Sequence, residues 1–175
     1  MNLTESYVLK TKWGYVGIAW DVLGIRQITL PDPTHEACQK RLSANRLHKV
    51  LKKLPQPIQN LCKNVELYFA GNKVTFSSKT KFNWQTLTAS QIKVLSKAFD
   101  IPFGKTVSYS ELASLSGFPG GARFVGNTLA KNPFPLLIPC HRIIAKNKAL
   151  GGFSAPQGKE MKREMLILES CNLYG

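Results

Sequence analysis

The sequence predicts an α+β chain in two parts: a small antiparallel sheet with helices over residues 1–84, then a mainly helical part over residues 85–175 built around a helix-turn-helix. Three observations carry this. The first thirty residues run as short alternating segments broken by turn signals, two helical patterns follow them, and beyond Thr88 helical periodicity returns with two capping-box matches.

Tyr7 to Thr11, Gly14 to Trp20 and Ile25 to Leu30 read as strands, with Trp13-Gly14 and Leu23-Gly24 turning the chain between them. Short turns of this kind join antiparallel neighbours, so a small sheet follows. Pro33-Thr34-His35-Glu36 opens a helical pattern that reaches about Leu51, and Pro57-Ile58 opens a second through Leu61, Val65, Leu67 and Tyr68 until Gly71 stops it. Lys73 to Phe76 reads as one more strand. The polar run Ser77-Ser78-Lys79-Thr80-Lys81 is either a linker or a surface loop, and the boundary between the two parts is placed near residue 84.

Thr88-x-x-Gln91 is a capping box opening a helix with Ile92, Leu95 and Phe99 on one face, which ends before Pro102. Ser108-x-x-Glu111 repeats the signal for a short helix with Leu112 and Leu115 turned inward. Gly117-Phe118-Pro119-Gly120-Gly121 then supplies a turn before a helix from about Ala122 to Ala130. The turn is longer than the three or four residues usual in a DNA-reading pair, so any two-helix corner would also satisfy it. A last amphipathic helix, about Gly158 to Cys171, carries Met161, Met165, Leu166 and Leu168 toward the core.

Charge narrows the partner. Lys plus Arg number 24 against 10 Asp plus Glu, a formal +14, and neutralising phosphates with release of counterions makes nucleic acid the natural polyanion. The excess is spread over the chain, with no isolated basic tail. The N-terminus lacks a basic region followed by an apolar run, and no window approaches the roughly 18 apolar residues of a membrane span, so the chain reads as mature and soluble. Cys38, Cys62, Cys140 and Cys171 are far apart and form no CxxC pair, which suits a reducing compartment. Cys38 and Cys62 read as buried free thiols; a bridge between them, or a zinc site with His35 and His48, are the alternatives, although the spacing matches no compact metal pattern. No metal or cofactor is expected, and Cys171 reads as a core residue at a helix end.

The chemistry concentrates in Pro139-Cys140-His141-Arg142, set between Leu136-Leu137-Ile138 and Ile143-Ile144. A thiol beside an imidazole in an apolar segment is a candidate nucleophile with its base. In an extended strand neighbouring side chains point to opposite faces, so cooperation between Cys140 and His141 requires a bridging water or a bent backbone.

The run from Asn132 to Ile144, Asn-Pro-Phe-Pro-Leu-Leu-Ile-Pro-Cys-His-Arg-Ile-Ile, resembles the active-site signature of the O6-alkylguanine-DNA alkyltransferases. The resemblance covers about residues 88–175. It implies a ribonuclease H-like first domain, a winged-helix-like second domain, and a single-use repair protein. That protein would flip O6-alkylguanine, mainly O6-methylguanine, out of duplex DNA and move the alkyl group onto Cys140. It implies double-stranded DNA as partner, no membrane, no obligatory protein partner, a monomer in the cytoplasm or a eukaryotic nucleus, and no cofactor.

Residue by residue, the resemblance makes His141 a base acting through water, Glu169 its orienting carboxylate, and Asn132 the brace of the turn presenting the cysteine. Tyr109 would rotate the nucleotide and donate a proton to the leaving base, and Arg123 would enter the duplex where the guanine was. Gly120, Gly121, Ala122 and Gly126 would let the backbone approach DNA closely, with Asn127 on the same helix. Phe153, Ser154, Ala155 and Pro135 would line the alkylguanine pocket, and the Ile143 carbonyl would accept from the guanine amino group. Arg142 is expected to hold the loop or domains together through carboxylate and carbonyl bonds. A non-catalytic damage sensor, a helix-turn-helix regulator and a Cys-His hydrolase share parts of this pattern. The first lacks a nucleophile, the second reads base edges, and the third turns over.

Overall fold

The computed structural model describes residues 4–43, 48–50 and 53–170. The chain divides into two compact units, Met1–Gln85 and Thr86–Gly175.

In the first unit, strands β1 (Thr4–Thr11), β2 (Gly14–Asp21) and β3 (Gly24–Ile28) form an antiparallel meander. Central β2 is buried from Val16 to Trp20, as a strand covered on both faces must be. Helix α1 (His35–Ser43) lies close over it: a Cβ on Gly17 would stand 2.5 Å from Leu42 Cδ1, so the sheet carries no side chain there. Helix α2 (Gln56–Phe69) starts on Pro55 and Pro57 and buries Ile58, Leu61, Val65, Tyr68 and Phe69.

Two expectations are corrected in this unit. Helix α1 ends at Ser43 instead of reaching Leu51, and His48–Val50 forms strand β4, paired parallel to Thr4–Ser6 of β1. The open edge of β1 offers unsatisfied backbone donors and acceptors, and this pairing outweighs further helix. Lys73 to Phe76 has no regular secondary structure and, among the described residues, joins no ladder, although Val74 and Phe76 are buried. Ser77–Lys81 is a surface loop tied to the sheet: the Ile25 N–H donates to Lys81 O at 2.8 Å and the Asn83 N–H to Ile25 O at 2.7 Å. Cys38 and Cys62 are buried free thiols. Burial, reinforced by Glu66, pushes the Cys62 thiol up to about 12, so it stays protonated and inert. Among the described residues no cluster of three or more His, Cys, Asp or Glu could hold a metal, and no helix is long and apolar enough to cross a membrane. The Cys171 expectation falls outside the described residues.

In the second unit, helices α3 (Ala89–Phe99), α4 (Tyr109–Leu115) and α5 (Ala122–Ala130) pack on one another. Both capping boxes form, with Thr88 and Ser108 accepting from the Gln91 and Glu111 N–H groups. Leu112 is buried but Leu115 is 59% exposed: α4 is a seven-residue helix and Leu115 is its last residue. Strands β5 (Val107–Ser108) and β6 (Ile143–Ile144) pair in parallel. Helix α6 (Lys159–Leu168) stops short of Cys171, with Glu169 as its C-cap.

Candidate active site

The loop between α5 and β6 is built by one side chain. Asn132 Nδ2 donates to Ile138 O at 3.0 Å while its Oδ1 accepts the Phe134 N–H at 2.9 Å, so the asparagine spans both limbs of the turn. Phe134 is fully buried beneath it, and Leu136 is held at φ 73, a conformation that side chains other than glycine adopt only when surrounded by fixed structure. Beyond Pro139, residues Cys140–Arg142 close a single 3-10 turn through Arg142 N–H to Pro139 O at 2.9 Å. The segment is therefore bent where an extended strand was expected. The bend removes the alternation that would have thrown Cys140 and His141 to opposite faces.

Behind the turn lies a buried ionic cluster. Glu169, 2% exposed, stands with Oε1 at 2.7 Å from His141 Nε2. Arg142 donates to the same carboxylate through Nε at 2.8 Å and Nη2 at 3.0 Å, and the Gly104 N–H adds a bond at 3.1 Å. Arg142 Nη1 also donates to Ile101 O at 2.6 Å, which ties the loop after α3 to the site. Burial alone would raise the Glu169 pKa; hydrogen bonds and charge from His141 and Arg142 overcome it and hold the carboxyl well below the usual range. An ionised carboxylate only accepts, so His141 Nε2 carries the proton and the basic lone pair of the neutral ring is on Nδ1. Burial lowers the pKa of His141, with Glu169 opposing, which favours the neutral ring.

Cys140 is buried yet retains 8% of its surface. Burial raises its thiol pKa, while the Asn132 hydrogen bond and the Lys162 charge pull in the other direction. The same asparagine thus shapes the loop and contacts the sulfur.

Lys162 was not singled out from the sequence. It is fully buried, donates to Ile143 O at 2.6 Å, and its ammonium stands 5.7 Å from the Tyr109 ring centre and 5.8 Å from that of Phe153. Burial lowers its pKa to about 8, with the Cys140 charge acting against that shift. The available signal was a cation on the apolar stripe of α6, one turn before Leu166. The Ile143 carbonyl, expected to take a guanine amino group, already accepts from this lysine.

Tyr109 opens α4 and forms a wall beside the thiol, close enough that burial and then the Cys140 charge raise its pKa. Gly126 of α5 faces its ring, where a Cβ would stand 3.9 Å from Tyr109 Cε1, an ordinary contact. On the other side a Cβ on Gly151 would meet Tyr109 Oη at 2.7 Å, and Gly151 has φ +70, so loop and phenol can approach only because glycine is there. Ser154 is exposed and ties this loop to the end of α5 by an Oγ bond to Ala130 O at 3.1 Å; Ala155, Phe153 and Pro135 are half-buried. The structure thus gathers Cys140, His141, Glu169, Asn132 and Tyr109. It leaves Arg123, Asn127 and Gly120 exposed on the helix-turn-helix, with Gly121 and Ala122 half-buried at the start of α5.

A partly accessible thiol next in sequence to a histidine oriented by an ionised carboxylate, in the same unit as a helix-turn-helix, is the set of residues that a cysteine nucleophile with a Cys-His-Glu arrangement would need. Residues 89–171 match the family model for the 6-O-methylguanine DNA methyltransferase DNA-binding domain. The chain is 35% identical over 130 residues to the constitutive methylated-DNA-protein-cysteine methyltransferase of Bacillus subtilis, covering 74% of each. It is 34% identical over 121 residues to the methyltransferase of that name in Methanothermobacter thermautotrophicus, covering 69% of this chain and 66% of the relative. The crystal structure of Mycobacterium tuberculosis O6-methylguanine methyltransferase superposes with a TM-score of 0.74 at 26% identity, over 95% of this chain and 93% of that one. The chain belongs to the methylated-DNA-protein-cysteine methyltransferase family.

Proposed function

We propose that this protein repairs O6-alkylguanine in duplex DNA by moving the alkyl group onto Cys140, once per molecule. The observation that carries the reading is the 2.7 Å bond between His141 and Glu169 immediately beside the exposed edge of Cys140. It supplies an oriented base where a thiol must lose its proton.

The Cys140 proton passes, through a water, to Nδ1 of His141, and the ionised Glu169 stabilises the imidazolium that forms. The sulfur attacks the alkyl carbon, the S–C bond forms as the C–O6 bond breaks, and the electron pair remains on the purine. Tyr109 donates a proton to the departing base, leaving unmodified guanine and a thioether that no group in the site can cleave. Because O6 lies within a stacked duplex, the nucleotide must leave the helix at a cost of about a few kcal/mol. The exposed Arg123 at the start of α5 fills the gap. The net charge of +14 supports DNA as the partner. The protein acts as a monomer in the cytoplasm, or in the nucleus of a eukaryote, where a free thiol persists.

Intact mass after incubation with excess O6-methylguanine duplex tests the reading. One methyl per chain, mapped to the peptide containing Cys140, is expected; several transfers per chain, or a methyl mapped elsewhere, would overturn it.

A further inference from the structure

Helix α5 begins without the usual means of holding a first turn. Its N-cap is Gly121, no side chain caps it, and no acidic residue is present in that turn. Yet this turn carries Arg123, which is exposed and makes no hydrogen bond or ion pair among the described residues. A different contact holds it. The Phe118 ring meets the Phe124 ring edge-on, with centroids 5.2 Å apart and planes at 66°. Phe118 is itself fixed at both ends of its backbone: its N–H donates to Ala113 O at 2.8 Å, and its carbonyl accepts from the Gly121 N–H at 2.8 Å. The fit around it is close, since a Cβ on Gly121 would stand 2.8 Å from Phe118 O and 3.1 Å from Phe118 Cβ.

We infer that Phe118 and Phe124 are the positioning residues for Arg123: the aromatic pair clamps the turn to the third residue of α5 and so fixes the arginine that must enter the duplex. The inference rests on the reading of Arg123 given above. The physical reason is entropic. An uncapped first turn frays, and an arginine on a frayed turn must be ordered at the moment of insertion, whereas a stapled turn is ordered beforehand. Here the residue three positions before the N-cap meets the third residue of the helix, and both are aromatic, which adds the edge-to-face preference. Neither ring is needed by the chemistry at Cys140, so the clamp affects only duplex substrate.

The test measures transfer rates from an O6-methylguanine duplex and from O6-methylguanine free base for Phe124→Ala, Phe118→Ala, Phe124→Leu, Arg123→Ala and the Arg123→Ala/Phe124→Ala double variant. Phe124→Ala and Phe118→Ala should lower the duplex rate about two- to tenfold, the scale of one aromatic pair, and leave the free-base rate unchanged. Phe124→Leu preserves apolar volume without the ring and should give a partial loss with wild-type thermal stability. In the Arg123→Ala background, Phe124→Ala should have no further effect on the duplex rate. A fall in both rates together would reduce the pair to ordinary packing, and independent losses in the double variant would show that the rings do not act through the arginine. If Arg123→Ala leaves the duplex rate intact, the arginine assignment fails, and with it the clamp; if Arg123→Ala impairs the duplex reaction but Phe124→Ala and Phe118→Ala do not, the clamp alone fails.

Discussion

Glu169 Oε1 lies 2.7 Å from His141 Nε2, and the same carboxylate takes two bonds from Arg142 and one from the Gly104 N–H. One residue at the end of α6 therefore sets the histidine tautomer, neutralises a buried guanidinium and anchors a glycine of the loop after α3. Removing its charge should have chemical and structural effects together. Glu169→Gln preserves the shape but leaves Arg142 without a counter-charge, which should cost about 3 kcal/mol of stability. It also deprives the imidazolium of its partner, so transfer should slow by about 10²-fold or more, on the scale of a lost general base. Rates with saturating O6-methylguanine duplex, set beside duplex affinity, decide this: transfer should fall far more than binding.

Acid should destabilise this site in a defined window. The pKa values of His141 and Glu169 are both depressed on folding, so the unfolded chain binds more protons than the folded one at each group. Stability then rises with pH and is lost on acidification: first below the unfolded histidine value of about 6.5, then below the unfolded glutamate value of about 4.3. Urea midpoints should fall steadily from pH 7 to pH 4, and Glu169→Gln should flatten the lower part of the curve. A flat wild-type profile over that range would contradict the buried ionic cluster.

Lys162 makes a prediction of opposite electrostatic sign. Its charge helps the buried thiol to ionise, against the larger effect of desolvation. Lys162→Met keeps the length and apolar character of the chain but withdraws the charge, so the Cys140 pKa should rise further. The pH profile for Cys140 alkylation by iodoacetamide should move to higher pH. Stability should not drop correspondingly, because burying an ammonium held at about 8 is itself unfavourable near neutrality.

How much of this was legible depends on whether the signal was local. The capping boxes at Thr88 and Ser108 encode helix starts in four residues each, and both form as read. The run from Asn132 to Ile144 singled out the segment that holds Cys140 and His141, but not its bend, because a single 3-10 turn has no periodicity to detect. The end of α1 was missed for a tertiary reason: the hydrogen-bonding edge of β1 recruits His48–Val50, and nothing within the helix pattern records that distant demand. Lys162 escaped because cations on helices usually face water, and only the convergence of the Ile143 carbonyl with the Tyr109 and Phe153 rings explains why this one does not.

Asn132→Ala isolates the loop from the chemistry behind it. The side chain donates to Ile138 O and accepts from the Phe134 N–H, so its loss leaves two backbone groups in a half-buried turn to find other partners. An unsatisfied buried group costs about 1–3 kcal/mol, and Leu136 at φ 73 depends on the surrounding loop to stay there. The thiol also loses the hydrogen bond that favours its ionised form, so its pKa should rise. Thermal unfolding should show reduced stability, while transfer should be slowed even at temperatures where the variant is fully folded. Restoring the wild-type rate by raising the pH alone would assign the defect to the thiol; a deficit that persists at every pH would assign it to loop geometry.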